Sequence, residues 1–103
     1  MGDIVMKDNL LRKLPSLIKS VVYEHERQIA KWGIQEHSHF TWMAFLTEEV
    51  GELAEAMSEY EFRGESTASI YREAIQVATL ALKIAEMSRL ISEYKEIAKG
   101  EKP

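Results

Sequence analysis

An all-α fold is predicted by three features of this 103-residue sequence. Apolar residues recur at three- and four-residue spacing, and no strand-like alternation appears. Of the 17 acidic residues only Asp3 and Asp8 are Asp, so nearly all the acids are Glu, a strong helix former. Glycine and proline are sparse, and only Gly33 and Gly64 fall where the apolar period breaks. The expected architecture is three main antiparallel helices in one domain spanning residues 1–103, with residues 1–13 a flexible or short helical lead-in.

The first helix should run from Pro15 to Trp32, because proline suits a first helical turn and Leu14, Leu17, Ile18, Val21, Val22 and Ile29 recur at helical spacing. GIQEHSH then reads as a loop. Ser38 is placed to cap a second helix over residues 39–62, with Trp42, Leu46, Val50, Leu53, Met57 and Tyr60 on one face. FRGEST closes it. A third helix should begin at Ser66 or Thr67 and end around Ala98, and its middle, AIQVATLALKIA, is apolar on more than one side. Such a helix needs more neighbours than a chain of three helices supplies. A domain of this size also buries only about two-thirds of the surface its unfolded chain exposes. The chain is therefore expected to assemble into a four-helix-bundle-type homodimer or homotetramer.

Composition narrows the partners. Hydrophobic residues at 46% and charged residues at 29% exclude a mostly disordered chain. The lack of cysteine removes disulfide frameworks and thiolate metal sites. A net charge of −4 and a pI near 5.4 argue against a nucleic acid duplex, whose affinity comes from Lys and Arg on phosphates. The start, MGDIVMKDNLLRKLP, has acids on both sides of a very short apolar run, and no stretch reaches the length of a signal h-region or a membrane span. A cytoplasmic protein without a membrane partner is expected.

The carboxylates are not distributed evenly around their helices. At about 100° per residue, Glu52, Glu55 and Glu59 fall within roughly 40° of Glu48 and form an acidic stripe. Glu49 lies about 100° away, between that stripe and the apolar arc. Glu52, three residues on, is its surface neighbour at the edge of the core. On the third helix, Val77, Leu80, Ile84, Met87 and Ile91 all fall within roughly 40° of Glu73, which puts a carboxylate near the centre of an apolar stripe. Gln76 lies one turn on, and Lys83 two turns after Gln76 on that side.

An ionised carboxylate in such a place must be paired with a cation or protonated. One outcome is an ordinary ion pair with Arg72, Lys83 or Lys31. The other is a site in which Glu49 and Glu52 face Glu73, where converging carboxylates repel unless a cation lies between them. An all-oxygen, partly hydrated site suits Mg²⁺, with Mn²⁺ as a substitute, and such ions commonly take remaining ligands from substrate phosphates.

These residues carry a resemblance. EEVGE at residues 48–52, followed at a distance by EAIQ at 73–76, resembles the EExxE…ExxD pattern of the all-α nucleoside triphosphate pyrophosphohydrolases, the MazG-like proteins and their dCTP- and dUTP-cleaving relatives. QIAKWGIQEH at 28–37, leading into WMAFLTEEVGEL, is similar to the small single-domain MazG-like proteins of phages and bacteria. The likeness covers roughly residues 24–87. It implies a four-helix-bundle active site in a dimer or tetramer that binds Mg²⁺ and hydrolyses a nucleoside triphosphate, including non-canonical ones, between the α and β phosphates. Position by position it makes Glu49, Glu52 and Glu73 metal ligands, with Gln76 standing where the pattern has Asp. A neutral amide offers one carbonyl oxygen and no charge, so this departure weakens the site by one negative charge.

Glu48 matches the first Glu of the pattern, which ligates the metal or orients the attacking water, and either Glu48 or Glu52 would accept that water's proton. Lys31 and Lys83 are candidates to meet phosphates, and Trp32 to stack on a base, whereas Trp42 fits better in the core. His37 matches a His that lies near the nucleotide in related enzymes, or serves the loop. His25, on the apolar stripe of the first helix, reads as a core or interface histidine, and Arg63 as a surface residue. Two other activities compete: a phosphoribosyl-ATP pyrophosphohydrolase, against which the KWG-x-Q-x-H segment argues, and a non-catalytic helical oligomer that binds nucleotide or protein, which Gln76 would allow.

Overall fold

The computed structural model of the chain describes residues 2–100, and the side chains of residues 2–93. The ends of the expected 1–103 domain, including Pro103, lie outside the described residues. Three helices account for almost all of the described chain: α1 (Gly2–Trp32), α2 (His39–Arg63) and α3 (Ala68–Gly100). No strand occurs among the described residues.

Local sequence sets the helix ends. The Gly33 N–H donates to the Ile29 carbonyl at 2.7 Å, and Gly33 turns the chain out of α1 at φ 75°, a left-handed value that an L side chain seldom adopts. Ser38 has extended backbone and its Oγ accepts from the Thr41 N–H at 3.2 Å, so it caps α2 as expected. Gly64, at φ 67° and ψ 26°, closes α2 by donating its N–H to the Glu59 carbonyl. The Ser66 Oγ accepts from the Ala68 N–H at 3.0 Å at the start of α3.

The first helix differs from expectation. It does not begin at Pro15 but runs through it from Gly2, so residues 2–13 are a continuous extension of α1. Pro15 leaves the Leu11 carbonyl without its helical donor, a loss that water compensates because this part of α1 is exposed.

The central helix is α3, which packs against both α1 and α2, while α1 and α2 do not pack on one another. Contacts between α1 and α3 advance together along both chains, from Ser20–Tyr71 through Glu24–Gln76 to Gln28–Lys83, so these two helices run parallel. Only the α2–α3 pair is an antiparallel neighbour pair. The reason is the up-down-up order: α3 returns between the other two and so shares its direction with α1.

Packing is incomplete within one chain. Among the described residues, Trp42 and Ala56 are the only buried apolar side chains, and Thr79, its Oγ1 donating to the Ile75 carbonyl, is the most enclosed residue. The line of α2 that meets α3 is Trp42, Leu46, Glu49, Leu53 and Ala56. Val50, Met57 and Tyr60, expected on the same face, are each more than 40% exposed because that arc is wider than the groove α3 offers. The radius of gyration of 18.0 Å exceeds the roughly 13 Å of a compact domain of this length, and the molecule measures 63 × 31 × 23 Å. No described helix is long and apolar enough to cross a membrane.

Candidate metal centre

Glu49 and Glu52 sit one turn apart on α2, and Glu73 faces them from α3. One carboxylate oxygen from each lies within 4.8 Å of the others. The antiparallel α2–α3 hairpin produces this convergence: Glu49 is on the packed line of α2, and Glu73 is on the stripe of α3 that meets it.

The electrostatics are those of an unneutralised acidic cluster. Burial, then repulsion from Glu52 and Glu73, pushes the Glu49 carboxyl up to about 7. Burial and the adjoining Glu52 also raise Glu73, against a smaller opposing effect of Arg72. Glu49 Oε2 is buried and has no hydrogen-bond partner. A buried carboxylate oxygen without a donor is costly, and a small cation fills that role where a water does not fit. The ion pairs that would have offered an ordinary explanation are weak or directed elsewhere. Arg72 Nε stands 3.9 Å from Glu73 Oε1 and is mostly exposed, Lys83 bonds to Gln28, and Lys31 lies over the Trp32 ring at 4.9 Å. Three carboxylates of this kind fit a hard divalent cation such as Mg²⁺ or Mn²⁺.

Beside the cluster is a cleft whose walls include Glu48, Glu49, Trp32, Gln35, Phe45 and Lys83. Lys83 is only 9% exposed, its Nζ donates to Gln28 Oε1, and burial lowers its pKa. Glu48 is exposed at the lip, and Trp32 is half-exposed. Trp42 is 4% exposed and forms the floor, in keeping with a core role. His37 is not on this cleft. Its ring packs edge-on against Trp42 and Phe45, at 4.8 and 5.2 Å between centroids, and its Nε2 is buried without a partner. Lys31 is likewise held outside the cleft walls by its contact with Trp32.

Gln76 is engaged with α1. Its Nε2 donates to Glu24 Oε1 at 2.6 Å, and its Oε1 accepts from Gln28 Nε2 at 3.0 Å. The carbonyl oxygen that sequence offered to a cation is thus already committed. Glu24 itself was missed by sequence reasoning. It is 7% exposed, takes a forked pair of bonds from Arg27 and the amide of Gln76, and these hold its carboxyl down at about 2 despite burial. The signal was present, since Glu24 shares its bearing on α1 with Leu17, Val21 and Gln28, just as Glu73 shares its bearing with apolar residues of α3. His25 also joins α1 to α3, through Nε2 and Glu86 Oε2 at 2.8 Å.

Comparison with family models, with curated proteins and with solved structures finds no match. The functional reading therefore rests on the residues themselves.

Proposed function

We propose that this chain is a divalent-cation-dependent nucleoside triphosphate pyrophosphohydrolase, cleaving between the α and β phosphates to release monophosphate and pyrophosphate, and that it works as a dimer or tetramer. The observation that carries this reading is the convergence of Glu49, Glu52 and Glu73 around a buried carboxylate oxygen that lacks a donor, beside a cleft with an aromatic and a cationic wall. The likeness of EEVGE and EAIQ to the MazG-like pattern supports it. The exposed apolar surface left on α1 and α2 supports self-association.

Glu49, Glu52 and Glu73 would hold Mg²⁺ or Mn²⁺. When bound, the ion supplies neutralisation of phosphate charge and a lowered pKa for attacking water. The chain's own groups do the rest. Glu48, exposed at the lip and one residue from Glu49, is free to orient the water and take its proton. Lys83 presents a desolvated ammonium to anionic oxygens, which raises the worth of that charge relative to a solvated lysine. Trp32 offers a half-exposed ring on which a base would stack.

The test is to incubate the full-length protein with a panel of triphosphates and Mg²⁺ or Mn²⁺ and to measure monophosphate and pyrophosphate. Product that disappears in Glu49→Ala and Glu73→Ala, with helicity and assembly retained, is the expected result. No turnover with any nucleotide, together with no cation-dependent stabilisation, would overturn it. A second reading, a nucleotide-binding helical oligomer without turnover, is favoured by the engagement of Gln76 with Glu24 and Gln28, which leaves three acidic ligands. Cation-dependent nucleotide binding without pyrophosphate release would select it.

A further inference from the structure

Lys83 carries a charge that its surroundings leave without a bonded counter-ion. It is 9% exposed, and the bond its Nζ makes among the described residues goes to Gln28 Oε1, a neutral amide. Two acids act on it through space, Glu24 and Glu86. Both are already committed. Glu24 accepts from Arg27 Nε at 2.8 Å and from Arg27 Nη2 at 2.6 Å, and Glu86 Oε2 lies 2.8 Å from His25 Nε2. Burying an ammonium is costly unless an anion is bonded to it, and none of the described residues supplies one here.

The ammonium is nonetheless held in place by a chain of amides whose direction is fixed at its far end. Ionised Glu24 can only accept, so Gln76 turns its Nε2 toward Glu24 Oε1, at 2.6 Å. That leaves the Gln76 carbonyl oxygen to accept from Gln28 Nε2, at 3.0 Å. Gln28 in turn has its own carbonyl oxygen left for Lys83. Reversing either amide would set donor against donor.

Arg27 belongs to the same wall. Its Nε and Nη2 are fixed on Glu24, its Nη1 makes no hydrogen bond among the described residues, and its side chain is 45% exposed. A guanidinium held along one edge is pre-oriented to offer its remaining donors to an oxyanion. Arg27, Gln28 and Lys83 all line the cleft that Glu48 and Glu49 bound from α2. The cleft therefore has two chemically different sides. The α2 side attracts cations, whereas the α1 and α3 side carries Arg27 and Lys83 against Glu24, a net charge of +1. A ligand that satisfies both sides binds a divalent cation and bears negative charge on more than one group, which is the chemistry of a linear polyphosphate.

We infer that Arg27 and Lys83 bind the pyrophosphate portion of the triphosphate, and that Gln28 is the positioning residue that holds the Lys83 ammonium for it. Discrimination by phosphate-chain length follows, because a pyrophosphate group can engage both cations and an orthophosphate only one. In the cleavage proposed above, the water oxygen bonds to the α phosphorus and the water's proton passes to Glu48. The bond from the α phosphorus to the bridging oxygen breaks, and its electron pair leaves with pyrophosphate, where these two cations meet the developing charge. The inference deepens the hydrolase reading and rests on it for the identity of the substrate, but the anion site is testable without turnover.

The test titrates the full-length protein with inorganic pyrophosphate, and separately with orthophosphate, by calorimetry in the presence of Mg²⁺. Pyrophosphate is expected to bind about tenfold tighter than orthophosphate or better. Arg27→Gln, which keeps an amide for Glu24 but no charge, and Lys83→Met should each weaken pyrophosphate about tenfold, with helicity and Mg²⁺-dependent stabilisation retained. Arg27→Lys, which keeps a charge beside Glu24 but no forked edge, serves where Arg27→Gln loses helicity and should weaken binding in the same direction. Gln28→Leu should also weaken pyrophosphate in the native chain and have almost no effect in Lys83→Met, as befits a residue that acts through another. Native affinity in the Arg27 and Lys83 variants would overturn the inference, as would an equal loss from Gln28→Leu with and without Lys83. A native chain that hydrolyses triphosphates yet does not bind pyrophosphate sinks the anion site and leaves the hydrolase standing. Pyrophosphate binding with these dependencies and no turnover upholds the site while the hydrolase reading falls.

Discussion

Gln76 spans the gap between α3 and α1, donating to Glu24 Oε1 at 2.6 Å while its carbonyl oxygen accepts from Gln28. The residue that breaks the acidic pattern is therefore the one that ties the two parallel helices together. Gln76→Glu, of the same shape, replaces the donor with a carboxylate facing the Glu24 carboxylate. A loss of about 1–3 kcal/mol in urea unfolding is expected, from the lost bond and the new repulsion. Mg²⁺ affinity, read by titration calorimetry, should not rise, because the side chain at position 76 is engaged on α1 beside Glu24 and Gln28.

Glu24 makes the fold acid-sensitive. Its carboxyl is held at about 2, below the ordinary 4.5, chiefly by Arg27. A depressed acid stabilises the folded state fully above its unfolded pKa and loses that contribution as pH falls through the folded one. Stability should therefore fall between pH 4.5 and 2, by at most about 3 kcal/mol at 1.36 kcal/mol per unit. Thermal melts across this range should show the slope, and Glu24→Gln should flatten it.

The acidic cluster acts in the opposite sense. Glu49 is raised from 4.5 to about 7, so without a cation its ionisation opposes folding, and stability should decline as pH rises from 4.5 through 7. Glu49→Gln should remove this decline and raise the melting temperature at pH 8 in the presence of a chelator. Adding Mg²⁺ to the native chain should reverse the decline, by about 2.7 kcal/mol at a hundredfold excess over Kd. A native protein whose melting temperature is indifferent to Mg²⁺ and Mn²⁺ at pH 8 would count against a metal centre.

Trp42 supports both α2 and the cleft floor, with His37 and Phe45 edge-on to it. Trp42→Ala should cost about 3–5 kcal/mol in chemical unfolding, the range for deleting a large buried aromatic. Ser38→Ala removes only the cap of α2 and should cost about 1 kcal/mol.

Much of the fold was legible because helix signals are local. Gly33, Ser38 and Gly64 mark chain direction through backbone conformation and capping, which depend on a few neighbouring residues. The start of α1 was misread at Pro15 because proline is tolerated both at a first turn and within an exposed helix, and only exposure separates the two. The angular position of Glu49, Glu52 and Glu73 was legible for a similar reason, since helical bearing is arithmetic on residue number.

By itself, the sequence determined three helices, their caps, and three glutamates turned toward a common seam, because each of these follows from spacing within one helix. Only the tertiary structure decided that α1 lies parallel to α3, that Gln76 belongs to Glu24, that His37 packs on Trp42 outside the cleft, and that the first turns of α1 stay exposed. Those outcomes depend on which helix faces compete for the one central helix, and a pairwise competition between surfaces leaves no mark in the spacing of either partner alone.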